Sequence, residues 1–249
     1  MFTSEHRDHV RHCILELARA DQRVTAGALT GSTAFGAGDD WSDIDVAFGI
    51  ADGNTPEVVL QDWTQVLDQE FSVLDHFDLR SGSSIYRVFL LPSGLEVDMA
   101  VTPGKEFGAR GPHFRALFGT THQLEATPQP SARHLIGLGW HHVLHARSCI
   151  ERNKPWQAEY WISAARDYAL SLACHHRGLN TSHGRGFDDL PGEVLESFTE
   201  TLVCSLDREG LLQALGRTID ALLHNSQDVY DLASKLEGRL HELNSTILT

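Results

Sequence analysis

One stretch has the residue types and spacing for metal-assisted phosphate chemistry: Leu29-Thr30-Gly31-Ser32-Thr33-Ala34-Phe35-Gly36-Ala37-Gly38-Asp39-Asp40-Trp41-Ser42-Asp43-Ile44-Asp45-Val46. It reads as a strand end, a Gly-Ser turn, a Gly-rich loop, and two aspartates at i and i+2 entering a second strand. Side chains two apart on a strand point the same way, so Asp43 and Asp45 are expected to present paired carboxylates to one site. Hard oxygen ligands of this kind suit Mg²⁺, which takes one or two carboxylates together with substrate phosphates. Gly31 lets a phosphate approach the backbone, and Ser32 offers its hydroxyl and N–H to phosphate oxygens.

A third acid stands on Leu95-Glu96-Val97-Asp98-Met99-Ala100-Val101, an alternating strand with Leu95, Val97, Met99 and Val101 on its apolar face. Asp98 lies in mid-strand on the other face, where a carboxylate is costly without a metal or a donor. Glu96 shares that face and is expected to be a surface or supporting acid. Three carboxylates from two strands can hold two Mg²⁺ ions, one activating an attacking hydroxyl and one neutralising a triphosphate and its leaving pyrophosphate.

The elements that must position these residues follow from the hydrophobic period. Glu5 to Arg19 spaces Val10, Ile14, Leu15 and Leu17 as a helix does. Strands are expected at Val24–Thr30 and Ile44–Ile50, then a helix over Pro56–Glu70 with proline in its first turn. Three further strands, Val73–Leu79, Ile85–Leu91 and Leu95–Val101, complete a small mixed α/β sheet with flanking helices. Residues 103–130, rich in Gly, Pro and Thr, read as a connecting loop between domains at 1–102 and 131–249. The second domain is expected to be an all-α bundle with helices over 132–150, 155–178, 191–205 and 208–245.

Length and charge bound what the chain can do. Its 249 residues carry 20 Lys+Arg against 34 Asp+Glu, a formal net charge of −14. That field repels a nucleic-acid partner unless a basic stripe overrides it, and the three lysines are scattered. No apolar run approaches membrane-spanning length, and the charged N-terminus is unlike a signal peptide, so no membrane partner and a cytoplasmic location are expected. Four widely separated cysteines (Cys13, Cys149, Cys174, Cys204) read as reduced thiols.

Gly31-Ser32-Thr33-Ala34-Phe35-Gly36 followed by Ser42-Asp43-Ile44-Asp45, with a later strand aspartate at Asp98, resembles the signature of the polymerase-β-like nucleotidyltransferase superfamily. The resemblance covers roughly residues 20–102. The small size and helical second half are similar to the nucleotidyltransferases that adenylylate aminoglycosides or lincosamides. The resemblance implies that Gly31, Ser32, Asp43 and Asp45 bind the nucleotide, and that Asp43, Asp45 and Asp98 hold metal. Asp98 would be the third ligand or the base that takes the acceptor's proton. Where many relatives carry arginines, this chain has Thr33 and Phe35.

In the helical half, Trp156 to Tyr168 carries Glu159 and Arg166 seven residues apart on one face, with Tyr160 and Asp167 one residue on. Glu159 or Asp167 could hold an acceptor's ammonium groups or act as general base, as acids of the helical domain do in the antibiotic-modifying enzymes. An intrahelical charge network is the alternative reading. His141, His142 and His145 include an i, i+4 pair without the Glu of a zinc-protease helix or a third ligand nearby, and read as a solvated or interface helix, as do Cys174-His175-His176. Arg7-x4-His12 and Arg217-x6-His224 fit the spacing of HEPN ribonucleases, which chance supplies readily in a chain with 15 histidines.

The expected function is Mg²⁺-dependent transfer of a nucleoside monophosphate, AMP from ATP, to a hydroxyl of a small cationic acceptor such as an aminoglycoside, releasing pyrophosphate. Its partners would be a nucleoside triphosphate and that acceptor, with a homodimer open to it. Antibiotic resistance is a role the resemblance brings into view. Two rival readings are an antitoxin-like enzyme nucleotidylating a protein partner, and a non-catalytic nucleotide-binding module.

Overall fold

The computed structural model describes residues 1–36, 38–126 and 128–245. Ala37 of the Gly-rich loop, Thr127 of the expected connection and residues 246–249 of the expected helical domain lie outside the described residues. The chain divides into two compact units, Met1–Thr127 and Pro128–Thr249.

In the first unit, Thr3 caps helix α1 (Ser4–Ala20) by accepting the His6 N–H at 3.1 Å, and Val10, Ile14 and Ala18 form its buried stripe. Strands β1 (Val24–Thr30) and β2 (Ile44–Ile50) pair antiparallel. Helix α2 (Pro56–Phe71) starts at its proline and buries Val59, Leu60, Trp63 and Leu67. Strands β3 (Asp75–Ser81), β4 (Ser84–Leu90) and β5 (Glu96–Pro103) follow as an antiparallel meander. Three short strands close the unit: β6 (Gly108–Ala109), β7 (Phe114–Gly119) and β8 (His122–Gln123). The main sheet has the order β3-β4-β5-β2-β1-β7, with β2 and β5 parallel, and β6 pairs with β8 in a separate two-stranded sheet.

The two helices and one sheet face share a core. Ile44, Val46, Phe48 and Ile50 of β2 and Val97, Met99 and Val101 of β5 pack with the buried stripes of α1 and α2. Trp63 is fully buried, and its indole N–H donates to the Asp21 carboxylate at 2.8 Å. Asp21 also pairs with Arg23 at 2.7 Å, and these donors hold its carboxyl down at about 2. The opposite sheet face is lined by small residues, Ala26, Ala28, Ala47 and Ala100, with Phe107 on them.

Two boundaries differ from the sequence expectation. The stretch 103–130 is no plain loop, because β7 within it pairs with the outer edge of β1 and satisfies backbone groups that edge would otherwise expose. Flanking glycines and prolines hide this six-residue strand from its composition. Strand β3 runs two residues later than expected, because the two-residue turn Gly82-Ser83, with Gly82 at φ +59°, sets Ser81 opposite Ser84.

The second unit is helical: α3 (Ala132–Glu151), α4 (Pro155–His176), α5 (Gly192–Thr199), α6 (Arg208–His224) and α7 (Tyr230–Ser245) around one apolar core. The expected helix over 208–245 is broken after His224. The buried side chains of Asn225 and Ser226 donate to the carbonyls of Ala221 and Leu222 at 2.9 and 2.6 Å, ending the backbone ladder there. The expected 191–205 helix stops at Thr199, whose hydroxyl donates to Glu196 O at 2.7 Å. The four cysteines are free, and among the described residues no helix is long and apolar enough to cross a membrane.

Candidate active site

The site is built on the open face of the first unit's sheet. Strand β2 lies parallel to β5 in a register that places Asp45 opposite Asp98. Partners in register point to the same face, so both carboxylates stand away from the helix-covered core. Asp43 is one residue before β2, and Glu96 is the first residue of β5. Oxygens of Asp43, Glu96 and Asp98 lie within 4.8 Å of one another, the group of metal-capable side chains found among the described residues. Carboxylate oxygens this close to one another are the kind of donor set a divalent cation takes.

Asp98 is the electrostatic centre of this group. Its carboxyl is pushed up to about 6, first by burial and then by the negative charges of Glu96 and Asp43. Its Oδ1 is buried with no hydrogen-bond partner. A buried carboxylate oxygen without a donor, facing two further acids, is the donor set a hard divalent cation satisfies. The residues therefore fit the Mg²⁺ that the sequence implies.

The Gly-Ser turn meets the same place. Gly31 follows β1 with φ 66° and ψ −154°, a conformation reserved for glycine. A Cβ added there would collide with the Asp45 carboxylate, so glycine is required both by the backbone and by the close approach. Residues Ser32–Phe35 then form a single 3₁₀ turn. Ser32 is exposed, its hydroxyl 3.5 Å from Ser42 Oγ. Thr33 is buried and donates to Thr30 O at 3.3 Å, while Phe35 is exposed with its ring edge-on to His113.

The sequence-predicted residues thus fall into two groups. Asp43 and Asp98 meet, Asp45 is the register partner of Asp98, Gly31 lies against Asp45, and Ser32 follows it in the chain. Glu159 belongs to α4 of the second unit, where it accepts the Ser163 hydroxyl at 2.7 Å. Asp167 stands on the same helix, at the rim of a depression with Tyr168, Ser171 and His183.

Two residues of the site lie outside the set expected to bind nucleotide or metal. Glu96 joins the acid group although it is exposed, and its alternation with Asp98 was the available signal. Arg7 is buried, and its Nη1 donates to the carbonyls of Asp39 and Ser42 in the loop that leads to Asp43. Nothing in its local sequence marks this, since the contact spans more than thirty residues. The other histidine and arginine patterns resolve into packing. His175 and His176 both bond the Asp228 carboxylate, at 2.7 and 2.9 Å. His142 is stacked between Trp161 and Tyr168. Arg217 pairs with Glu200 at 2.9 Å along a cavity of about 650 Å³ that His224 also lines.

No protein-family model matches the chain, and no curated protein matches it in sequence. Among solved structures it is similar to an aminoglycoside 6-adenyltransferase from Bacillus subtilis, at 12% identity and a TM-score of 0.43, over 99% of this chain and 100% of that one. A likeness so distant carries no inference about activity, which has to rest on the carboxylates and the glycine turn themselves.

Proposed function

We propose that this protein is a Mg²⁺-dependent nucleotidyltransferase that moves a nucleoside monophosphate, AMP from ATP, onto a hydroxyl of a small cationic acceptor such as an aminoglycoside and releases pyrophosphate. The observation that carries this reading is the β2–β5 register, which sets Asp45 opposite Asp98 with Asp43 and Glu96 alongside and Gly31 against Asp45.

In this reading Asp43, Asp45 and Asp98 would hold the metal, with Glu96 beside them. Bound Mg²⁺ supplies neutralising charge to the triphosphate and to the leaving pyrophosphate. Gly31 keeps a side chain out of the path of the phosphates, and the exposed Ser32 hydroxyl and N–H donate to their oxygens. As the acceptor oxygen forms its bond to the α-phosphorus, the bond from that phosphorus to the bridging oxygen breaks. The acceptor's proton goes to the Asp98 carboxylate, whose Oδ1 is buried with no hydrogen-bond partner. Most of the rate comes from positioning and electrostatics. The net charge of −14 favours a cationic acceptor over nucleic acid, and Glu159 remains the candidate for contacting its ammonium groups. The catalytic domain is the first unit and the acceptor-recognising one the second, in a cytoplasmic protein.

The test is pyrophosphate release from each nucleoside triphosphate with Mg²⁺ and a panel of aminoglycosides and lincosamides, products identified by mass. A nucleotidylated acceptor made by the native protein and not by Asp45→Asn supports the reading, and a larger KM for acceptor in Glu159→Gln supports that residue's role. One observation favours a protein acceptor as the second reading. Phe77 and Leu79 of β3 and Tyr86 and Leu90 of β4 are exposed, and their registers put them on the same sheet face as Glu96 and Asp98. An apolar strip beside the acids suits a protein surface. Loss of activity in Phe77→Asp only toward a protein acceptor would favour that reading.

A further inference from the structure

The loop that delivers Asp43 has little internal structure to hold it. Asp39 to Ser42 closes as a turn: the Asp39 carboxylate accepts the Trp41 N–H and the Ser42 hydroxyl, each at 3.0 Å. That turn has no strand or helix of its own, and Trp41 at its tip is exposed. What fastens it is α1. The Ser4 hydroxyl donates to Asp40 Oδ1 at 2.6 Å. Arg7, one helical turn further on, donates from Nη1 to Asp39 O and, at 3.2 Å, to Ser42 O.

The Ser42 carbonyl belongs to the peptide plane that ends at Asp43, so the guanidinium fixes the plane from which the Asp43 side chain departs. Arg7 is 7% exposed, and the ion pair it makes with Asp8 is long, 3.8 Å at Nε. A buried guanidinium is expensive unless its hydrogens are used, and here the main use is two loop carbonyls. Side-chain packing alone would be served by a methionine.

We propose that Arg7 is the positioning residue of the acid group: by clamping both ends of the Asp39–Ser42 turn it holds the Asp43 carboxylate within reach of Glu96 and Asp98. The inference deepens the metal-site reading and rests on it. Partners that orient a ligand typically contribute 10- to 100-fold to metal affinity.

Mn²⁺ binding measured by electron paramagnetic resonance, in the native protein, Arg7→Met and Arg7→Lys, tests this without any turnover. The expected result is a Kd raised about tenfold or more in Arg7→Met and by less in Arg7→Lys, which can still reach one carbonyl. Amide hydrogen exchange should quicken in residues 39–43 and not in the β-sheet. An unchanged Kd in a folded Arg7→Met overturns the positioning role and leaves the metal site standing. Should Arg7→Met not fold, Arg7→Lys decides alone: a weakened Kd with unchanged circular dichroism supports the role, and an unchanged Kd overturns it. Absence of Mn²⁺ binding in the native protein overturns both inferences.

Discussion

Asp45 and Asp98 are register partners across β2 and β5, the parallel pair within a main sheet whose other described pairings are antiparallel. A parallel neighbour demands a crossover, and α2 with the β3–β4 hairpin supplies it. The two aspartates, over fifty residues apart, are therefore brought face to face by the same topology that buries Phe48 and Met99 on the other side. Several measurable consequences come from this placement.

The metal-free site should be destabilised near neutrality, with Asp98 as the cause. Its carboxyl in the fold titrates at about 6, above the ordinary 3.8, so folding takes up a proton between those values and stability falls as pH rises through that window. Asp98→Asn removes the penalty. Without metal, it should be about 1–2 kcal/mol more stable than the native protein at pH 7.5, after discounting for partial solvent screening, and no more stable at pH 4. Added Mg²⁺ should raise the native Tm at pH 7.5 and leave that of Asp98→Asn unmoved. Urea titrations at the two pH values check both halves.

Gly31→Ala should be among the most damaging single-methyl changes in the first unit. The added Cβ meets the Asp45 carboxylate, and the backbone lies at φ 66° and ψ −154°, where alanine is strained by about 1–3 kcal/mol. The expected outcome is a stability loss of at least that size together with loss of ATP binding. Gly53→Ala, also at positive φ but with open space around it, separates the two causes: it should cost only the backbone strain and leave ATP binding intact.

In the second unit, acid should weaken the α3–α4 contact through His142. The imidazole is sandwiched between Trp161 and Tyr168, at centroid distances of 4.8 and 5.1 Å, and its Nδ1 is buried without a partner. Burial, and then His141 and His145, lower its pKa from 6.5. The neutral ring is the one the fold accepts, so this contribution is present above pH 6.5 and lost as pH falls below it. His142→Phe keeps the stack and removes the titration. It should flatten the decline in Tm between pH 7 and pH 5.

The acid pair, the Gly-Ser turn and Asp98 were legible because each is a local pattern with a chemical reason. Alternation along residues 95–101 even fixed the face on which Asp98 stands. The nearness of Glu96 to Asp43 and Asp98 was not legible: an acid at a strand's first residue is ordinary until its neighbours across the sheet are known. Arg7 was illegible, since the carbonyls it serves lie in a loop more than thirty residues later. Strand β7 was missed for a related reason, its hydrogen-bonded partner being the distant edge of β1. The break after His224 turned on two buried polar side chains, Asn225 and Ser226, whose burial no periodicity reveals.

The most direct test is a crystal of the protein soaked with Mn²⁺ and a non-hydrolysable ATP analogue, with anomalous scattering used to place the ion. The expected result is a peak about 2 Å from carboxylate oxygens of Asp43, Asp45 and Asp98, with the triphosphate running over Gly31 and Ser32. A nucleotide that binds elsewhere, or no metal at these carboxylates under saturating Mn²⁺, would contradict it.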